Sequence, residues 1–394
     1  MYLSSKRERI EPLKGCSMVG IIEGLMGIED ARPLVHGPMS CSSGHRMVYL
    51  FADKEPVLPT TALTEEELVL GSQEKLKAAL KKAYELYEPK YISIIITCAI
   101  SLSGEEYNNI IKEFEREHDC KVSVLDGSGL YGEEVDGFNQ LYEDFWERFS
   151  ISNNHSQLIS LDGMALSDVN AEGNYNVIIN LLKKYFEVEI GPSIFLDFNI
   201  NEDLDIYKKA EKIKVGHLWN NYEIEDNRPA PYGIEGTYQW LKWFKNRFDK
   251  KASENLEDDY ENYKEKFNKL LDERNLKDLK IVIEGDSWTA LGLANFLKYE
   301  IGCKVMLSTD NYGFKYNKEN IQLKDIYDDM GGYELFTKAK EFKPDIVFGS
   351  SYIRCKKQWE IIPFTQPIYH LYDNDIDLMG YEGAFNLIDI LTEI

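Results

Sequence analysis

The sequence lacks the cysteine patterns that are typical of disulfide-rich domains and of common zinc sites. Its 394 residues include six cysteines, and none of them belongs to a CxxC pair. Their spacing also does not resemble the disulfide framework of a small secreted domain. We therefore expect a cytoplasmic protein whose thiols are either free or bound to metal.

Long hydrophobic runs and clusters of basic residues are missing as well. The longest apolar stretch, Tyr91–Leu102, is too short to cross a bilayer, and the N-terminal segment MYLSSKRERIEPLKG has charges but no apolar core. The formal net charge is -23, with 68 acidic and 45 basic residues, which disfavours binding to a phosphate backbone. We expect a soluble protein that binds neither membranes nor nucleic acid.

The motifs of several common catalytic sites are absent. The chain has no Walker A, HExxH or GxSxG pattern, and the glycines of residues 281–297 do not have GxGxxG spacing. The segment IVIEGDSWTALGLANFL, residues 281–297, could place a phosphate at a helix N-terminus, but a tight strand-to-helix turn explains it more simply. For His36, His45, His217 and His370, which lie near predicted strand ends, a hydrogen-bonded structural role is favoured over metal binding.

Short apolar runs alternate with longer amphipathic segments along the whole chain. Apolar residues recur at helical spacing in residues 65–86 and 105–118. Continuous apolar strands are typical of parallel sheets that helices cover on both faces, so we predict an α/β fold. The predicted strands are Arg32–His36, Tyr91–Thr97, Lys121–Asp126, Gln157–Leu161, Ile194–Phe198, Ile213–Leu218, Leu279–Ile283, Lys304–Ser308, Ile346–Gly349 and Ile368–Tyr372.

Two changes in pattern predict three domains. Residues 150–155 break the periodicity, and the charged, helix-forming segment Asp249–Lys280 leads into a new strand, turn and helix. We therefore predict α/β domains at residues 1–150, 151–275 and 276–394.

Cys16, Cys41 and Cys98 are the strongest candidates for a functional site. Each lies where apolar or small residues meet a predicted loop, in LKGCSMVG, HGPMSCSSGH and IIITCAISLSGEE. A single cysteine is most often an inert core residue, but three in such positions predict a redox protein with a shared iron–sulfur cluster. With three thiolate ligands, a partner chain, a symmetry mate, a water or an oxygen ligand would complete the shell.

The segment DGSGLYGEEVDGF, residues 126–138, places four glycines after a predicted strand. Its backbone either approaches a cofactor or another chain closely, or forms an ordinary flexible connection, and both interpretations stay open. Under the first interpretation, Ser128 offers an oxygen ligand to a cluster. Cys120, Cys303 and Cys355 lie at ordinary element ends, and we expect them to be unligated thiols.

Taken together, these motifs suggest a family. The succession PLKGCSMVGIIEGLMGIEDARPLVHGPMSC, TTALTEEELVLGSQEKLKAAL and PKYISIIITCAISLSGEEYNNII resembles the N-terminal half of nitrogenase component 1 proteins. The DGSGLYG loop, the EGDSWTALGLANFL turn and the final GYEGAFNLI extend the similarity over essentially the whole chain.

The resemblance implies three Rossmann-like domains with mainly parallel sheets. It also places Cys16, Cys41 and Cys98 at the positions that bind an iron–sulfur cluster at a subunit interface, of P-cluster or [4Fe-4S] type. It implies a homodimer, or a heterodimer or heterotetramer with a paralogous subunit, that receives electrons from an ATP-dependent iron protein.

The similarity does not extend to the iron–molybdenum cofactor of the dinitrogen-reducing alpha-type subunit. That family member uses a mid-chain cysteine and a histidine near the C-terminus. This chain has no cysteine between Cys120 and Cys303, although His370 lies where the histidine would fall. The spacing of the first three cysteines is closer to that of a beta-type subunit.

The resemblance therefore implies a nitrogenase-like oxidoreductase subunit that relays electrons to a small-molecule substrate. His36, His45, Trp219, Trp288 and His370 are candidates for lining its pocket. A cluster or cofactor assembly scaffold is the alternative, because the missing cofactor cysteine fits it equally well. A metal-free α/β binding protein is a third hypothesis, since a fold alone does not establish chemistry.

Overall fold

The structure is a computed structural model that describes residues 15–49, 56–130, 132–216, 230–253, 255–309, 326–328, 330–354, 359–369 and 376–393. These residues form two compact units. One takes its residues from Lys14–Ala171 and Val188–Asn220, and the other from Glu172–Glu187 and Asn221–Ile394. Within the described ranges we find no helix that is both long and apolar enough to cross a bilayer. The domain boundaries at residues 150 and 275 stay a prediction.

The first sheet consists of three parallel strands in the order β1 (Ala31–His36), β2 (Tyr91–Ile96) and β3 (Lys121–Asp126). The central strand, YISIII, is buried at five of its six positions, as expected for a strand that is covered on both faces. The strands end in register, because His36 pairs with Ile96 and Ile96 pairs with Asp126. Their carboxyl ends therefore meet at one edge.

Seven helices are described around this sheet: α1 (Ser17–Met26), α2 (Met39–Val48), α3 (Glu65–Leu70), α4 (Gln73–Tyr87), α5 (Cys98–Ser101), α6 (Asn108–Glu117) and α7 (Glu134–Arg148). The helical pattern predicted over residues 65–86 is divided into α3 and α4. The break lies at Gly71, whose φ of 115° is one that glycine adopts without strain. Thr64 begins α3 in a capping box with Glu67.

Helices α1 and α7 pack with their backbones in direct contact. All ten residues of α1 are buried, so this helix has no solvent-facing stripe. A Cβ atom on Gly20 would lie 1.8 Å from the carbonyl oxygen of Glu134. This close contact at Gly20 therefore fixes the position of α1. It also fixes the position of Cys16, which lies at the N-terminal end of α1.

A second parallel sheet in the same unit has the order β5-β4-β6, with β4 (Leu158–Asp162), β5 (Glu189–Ile190) and β6 (Glu211–Lys214). Helix α8 (Ala171–Tyr185) lies between β4 and β5 in the chain, and α9 (Ile200–Lys209) precedes β6. The strand predicted at 213–218 begins at Glu211 and ends at Lys214, so residues 215 and 216 are wrongly predicted, and residues 217 and 218 lie outside the described part.

The strand predicted at Ile194–Phe198 is wrong. Phe195 and Phe198 are fully buried, which gives the segment its strand-like apolar pattern. The backbone, however, forms only an isolated bridge, in which Phe198 donates to the carbonyl of Gly27 and accepts from the N–H of Glu29. Burial of aromatic rings, rather than pairing in a sheet, explains the pattern.

The other unit contains a five-stranded parallel sheet in the order β11-β10-β7-β8-β9. The strands are β7 (Lys280–Gly285), β8 (Lys304–Thr309), β9 (Ile326–Asp328), β10 (Ile346–Gly349) and β11 (Glu360–Pro363). The helices are α10 (Ile234–Arg247), α11 (Asn255–Asp272), α12 (Ser287–Asn295), which continues into a π-helical turn (Phe296–Ile301), α13 (Gly332–Phe342), α14 (Ser351–Arg354) and α15 (Gly380–Glu393).

Two predictions for this unit can be compared directly with the structure. The strand predicted at 368–372 is wrong in its described part, because the N–H groups of Ile368 and Tyr369 donate to the side chains of Gln366 and Ser351. The turn before α12 is a tight strand-to-helix connection. Its helical N–H groups donate to the side chain of Asp286, the N-cap residue.

Candidate cluster site at the carboxyl edge of the first sheet

Two of the three predicted cluster cysteines follow neighbouring parallel strands. Cys41 lies in the first turn of α2, after β1, and Cys98 begins α5, directly after β2. The connections are in contact, because a Cβ atom on Gly37 would lie 2.1 Å from Oγ1 of Thr97. Loops at the carboxyl ends of parallel strands are common ligand sites in α/β folds.

The glycine-rich segment after β3 holds Cys16 at the same edge. Cys16 forms an isolated antiparallel bridge with Glu133, and the N–H of Met18 donates to the carbonyl of Gly127 at 3.1 Å. A Cβ atom on Gly129 would lie 3.1 Å from Cβ of Cys16. The backbone of this segment therefore packs against Cys16 of its own chain, and its close approach to a cofactor or another chain stays a prediction.

The three thiols lie within electrostatic range of one another. Burial raises the pKa of the Cys16 thiol, and the charges of Cys98 and Cys41 raise that pKa further. The pKa of Cys41 is raised by burial and then by the charge of Cys98. Like charges disfavour one another's ionised forms, so these shifts reflect the proximity of the thiols.

No three histidine, cysteine or acidic side chains in the described residues are grouped closely enough to hold a single metal ion. A multinuclear cluster makes a different demand, because its thiolates bind separate iron ions. Soft thiols on separate loops fit such a cluster in their chemistry.

Ser128 adds a buried oxygen to the glycine-rich segment that packs against Cys16. The side chain is 1% exposed, and its Oγ has no hydrogen-bond partner among the described residues. The backbone N–H of Ser128 donates to Oδ1 of Asp126 at 2.8 Å, while Oδ2 of Asp126 accepts from Oγ of Ser101 at 3.0 Å. A buried hydroxyl without a partner is costly, so this oxygen is a good candidate to bind an added group.

His45 lies closer to the cysteines than its sequence position suggested. Its Nε2 is 3.3 Å from Sγ of Cys16, and its Nδ1 is 2.7 Å from the carbonyl oxygen of Cys41. Burial lowers the pKa of His45, which favours the neutral ring. Sequence analysis placed His45 among structural or pocket-lining residues. The signal that it missed is the spacing of four between Cys41 and His45 on one helix.

His36 has the structural role that sequence analysis favoured. It is fully buried, with Nδ1 3.1 Å from Oγ1 of Thr61, and with Nε2 2.9 Å from Oγ of Ser72 and 3.2 Å from the hydroxyl of Tyr107. Burial lowers its pKa to about 4. The ring therefore connects the end of β1 to the start of α4 in a neutral hydrogen-bond network.

The remaining candidates are buried residues or lie outside the described residues. Trp288 is 1% exposed and belongs to the core of its own unit. Cys120 and Cys303 are buried free thiols, and burial raises the pKa of each to about 12. The candidates outside the described residues are His217, Trp219, Cys355 and His370.

Comparison with known proteins identifies the family. A family model described as "Nitrogenase component 1 type Oxidoreductase" matches residues 16–394. The chain belongs to the nitrogenase component 1 type oxidoreductase family. This membership was expected from the motifs around the three cysteines.

Relatives within the family are similar over most of their length. The nitrogenase molybdenum-iron protein beta chain of Azotobacter vinelandii is 20% identical over 441 residues, covering 97% of this chain and 83% of that protein. The nitrogenase molybdenum-iron protein alpha chain of Methanosarcina barkeri is 23% identical over 403 residues, covering 94% of this chain and 71% of that protein. A solved structure described as "Nitrogenase Cp1 at pH 6.5" covers 100% of this chain and 94% of its own, with a TM-score of 0.74 and 18% identity. The predicted nitrogenase component 1-like fold is thereby confirmed.

Proposed function

We propose that this chain is a nitrogenase-like reductase subunit that holds an iron–sulfur cluster through Cys16, Cys41 and Cys98. In this role it passes electrons from an ATP-dependent iron protein to a small-molecule substrate. The observation that carries the proposal is the common edge at which the three thiols lie within electrostatic range. Family membership supports the class of chemistry.

The chain's own residues have distinct roles in this proposal. A bound cluster of [4Fe-4S] or P-cluster type supplies one-electron redox chemistry at low potential. The three cysteines hold it as thiolates, and Ser128, in the segment that packs against Cys16, has a hydroxyl without a partner among the described residues. The glycine-rich segment keeps its backbone close to Cys16.

Exposed apolar side chains support a subunit interface at the same edge. Met39 and Met47 on α2 are 61% and 54% exposed, and Leu102, which follows α5, is 69% exposed. Leu130 in the glycine-rich segment is 45% exposed. Large apolar side chains at the surface often mark a binding partner. The partner in this proposal is a component 1 subunit, either a second copy or a paralogue, since the relatives are named as alpha and beta chains.

A scaffold that holds a cluster or cofactor precursor is the second candidate. It is favoured by one sequence feature, the absence of any cysteine between Cys120 and Cys303. Such a protein would pass its cargo to an acceptor and would not turn over a substrate.

The two candidates differ in their response to the iron protein. The reconstituted protein is mixed anaerobically with the cognate iron protein and MgATP, and the cluster spectrum and substrate consumption are followed. A reductase shows ATP-dependent reduction of its cluster followed by catalytic turnover. A scaffold shows no turnover but transfers its cluster to an apo-acceptor. The absence of both ATP-dependent reduction and transfer contradicts the proposal and its alternative together.

A further inference from the structure

We propose that His45 is a fourth protein ligand of the cluster, binding iron through Nε2. This inference rests on the proposed function, because it concerns the same cluster. A fourth ligand would complete the coordination of the iron ions that the three cysteines leave open. The ligand comes from this chain, one helical turn after Cys41.

The hydrogen bond at Nδ1 defines which nitrogen is available. The carbonyl oxygen of Cys41 can only accept a hydrogen bond, so Nδ1 of His45, at 2.7 Å, must donate its proton. In the neutral ring, Nε2 then carries the lone pair. Metal-binding histidines commonly donate their other ring nitrogen to a carbonyl or carboxylate in this way, which fixes both tautomer and orientation.

The position of Nε2 is the second observation. It lies 3.3 Å from Sγ of Cys16, so the lone pair faces a predicted cluster thiolate. Cys41 and His45 are four residues apart on α2, and residues at this spacing lie on the same helix face. Cys16, at the N-terminal end of α1, and His45, on α2, are therefore neighbouring donors.

In the protein without metal, the contact between Cys16 and His45 is a hydrogen bond from S–H to Nε2. With a cluster bound, the Cys16 thiol would have lost its proton to solvent, this hydrogen bond would be absent, and the two side chains would have moved apart to hold separate iron ions. The sulfur and the nitrogen lone pair would both be available for iron, while the proton on Nδ1 would still be donated to the carbonyl oxygen of Cys41. No change in oxidation state is needed for this exchange.

A histidine ligand changes what the site can do. Three thiolates and one imidazole give one chain enough donors for every iron of a four-iron cluster. Imidazole is neutral, so the site carries one negative charge less than a site with four cysteines. Replacing thiolate by imidazole raises the reduction potential of iron–sulfur centres. We therefore expect a higher potential than in a His45→Cys variant.

The test is electron spin echo spectroscopy of the reduced cluster. The protein is labelled with [15N]histidine, and all its other nitrogen atoms keep their natural isotope abundance. Wild-type protein is expected to show a strong 15N coupling, which is lost in both His45→Cys and His45→Ala. His45→Cys keeps its iron, whereas His45→Ala loses iron to a chelator at least about tenfold faster. His155→Gln is the matched control, because the His155 side chain is fully exposed, and it is expected to keep the coupling.

Three outcomes would overturn the inference while the proposed function stands. One is an iron-containing wild-type protein without a strong histidine coupling. Another is a coupling that survives in His45→Cys. A weak coupling combined with normal iron retention in His45→Ala would make His45 only a hydrogen-bonding neighbour, which also contradicts the ligand role. A wild-type protein that binds no iron at all would instead be a failure of the proposed function.

Discussion

Gly137 in α7 lies directly against the backbone of Ser17 in α1, so closely that a Cβ atom on Gly137 would be 1.8 Å from the Ser17 carbonyl oxygen. Ser17 is the neighbour of Cys16 and begins the fully buried helix α1. The position of the first predicted cluster ligand therefore depends on a contact that only glycine allows.

We predict that Gly137→Ala lowers the free energy of unfolding by about 1–3 kcal/mol, because the added methyl group must push two backbones apart. It is also expected to reduce iron retention through displacement of Cys16. Gly236→Ala is the control, because Gly236 lies in the first turn of α10 and a Cβ there meets nothing within 4 Å. Urea denaturation of both variants measures the difference, and equal unfolding free energies would contradict this packing.

Two serines with equal burial are predicted to differ in their contribution to stability. Ser72 and Ser128 are each 1% exposed. Ser72 Oγ contacts Nε2 of His36 at 2.9 Å and donates to Glu105 at 2.8 Å, whereas Oγ of Ser128 has no partner among the described residues. In cluster-free protein, Ser72→Ala is expected to lower the free energy of unfolding by about 1–3 kcal/mol, and Ser128→Ala to leave it unchanged or raise it. A comparable loss in Ser128→Ala would show that its hydroxyl is already satisfied.

His36 is predicted to make the protein less stable in acid. Its pKa is lowered to about 4 by burial, from an ordinary value of 6.5. Between these pH values the unfolded chain binds a proton that the folded chain does not bind. Stability therefore falls as the pH drops from about 6.5 to about 4, by at most about 3 kcal/mol. The free energy of unfolding of wild type minus that of His36→Gln should decrease over this range, and a constant difference would refute the prediction.

Asp162 is predicted to make the protein less stable as the pH rises, which is opposite to the effect of His36. It is fully buried, it accepts hydrogen bonds from the hydroxyls of Tyr207 at 2.6 Å and Tyr142 at 3.1 Å, and burial raises its pKa to about 6 from 3.8. The folded chain therefore holds a proton that the unfolded chain releases between these values. Its contribution to stability falls, by at most about 3 kcal/mol, as the pH rises from about 4 to about 6.

Measurement of the Asp162 effect requires a difference between two proteins, because His36 titrates over much of the same pH range. The free energy of unfolding of wild type minus that of Asp162→Asn should decrease as the pH rises from about 4 to about 6. An increase would mean that the carboxylate is stabilised in its ionised form by the two tyrosines.

Much of the first sheet follows from local sequence. The run that forms β2 is almost continuously apolar, β1 and β3 each contain apolar residues between polar ones, and helices flank all three, so their pattern indicates buried parallel strands. The segment at 194–198 has the same apolar character, yet it is buried through aromatic rings and does not join a sheet. Local pattern reports burial, whereas strand pairing depends on which backbones meet after folding.

The candidate site, like the first sheet, was predictable from the sequence only in part. The three cysteines could be identified because their neighbours are small residues at strand-to-loop junctions, and their motifs resemble a known family. The contact between His45 and Cys16 could not be predicted, because the two residues lie on different helices whose approach depends on glycine contacts elsewhere. The spacing of four between Cys41 and His45 was visible in the sequence, but it gave no indication of Cys16.

The central claim is that Cys16, Cys41 and Cys98 hold an iron–sulfur cluster. The most direct test is to measure iron and acid-labile sulfide per chain after anaerobic reconstitution of wild type and of a variant with all three changed to alanine. A variant with the buried free thiols Cys120 and Cys303 changed to alanine serves as the control. The account predicts stoichiometric iron and sulfide in wild type and control, and almost none in the triple variant. Equal iron and sulfide in all three proteins would contradict it.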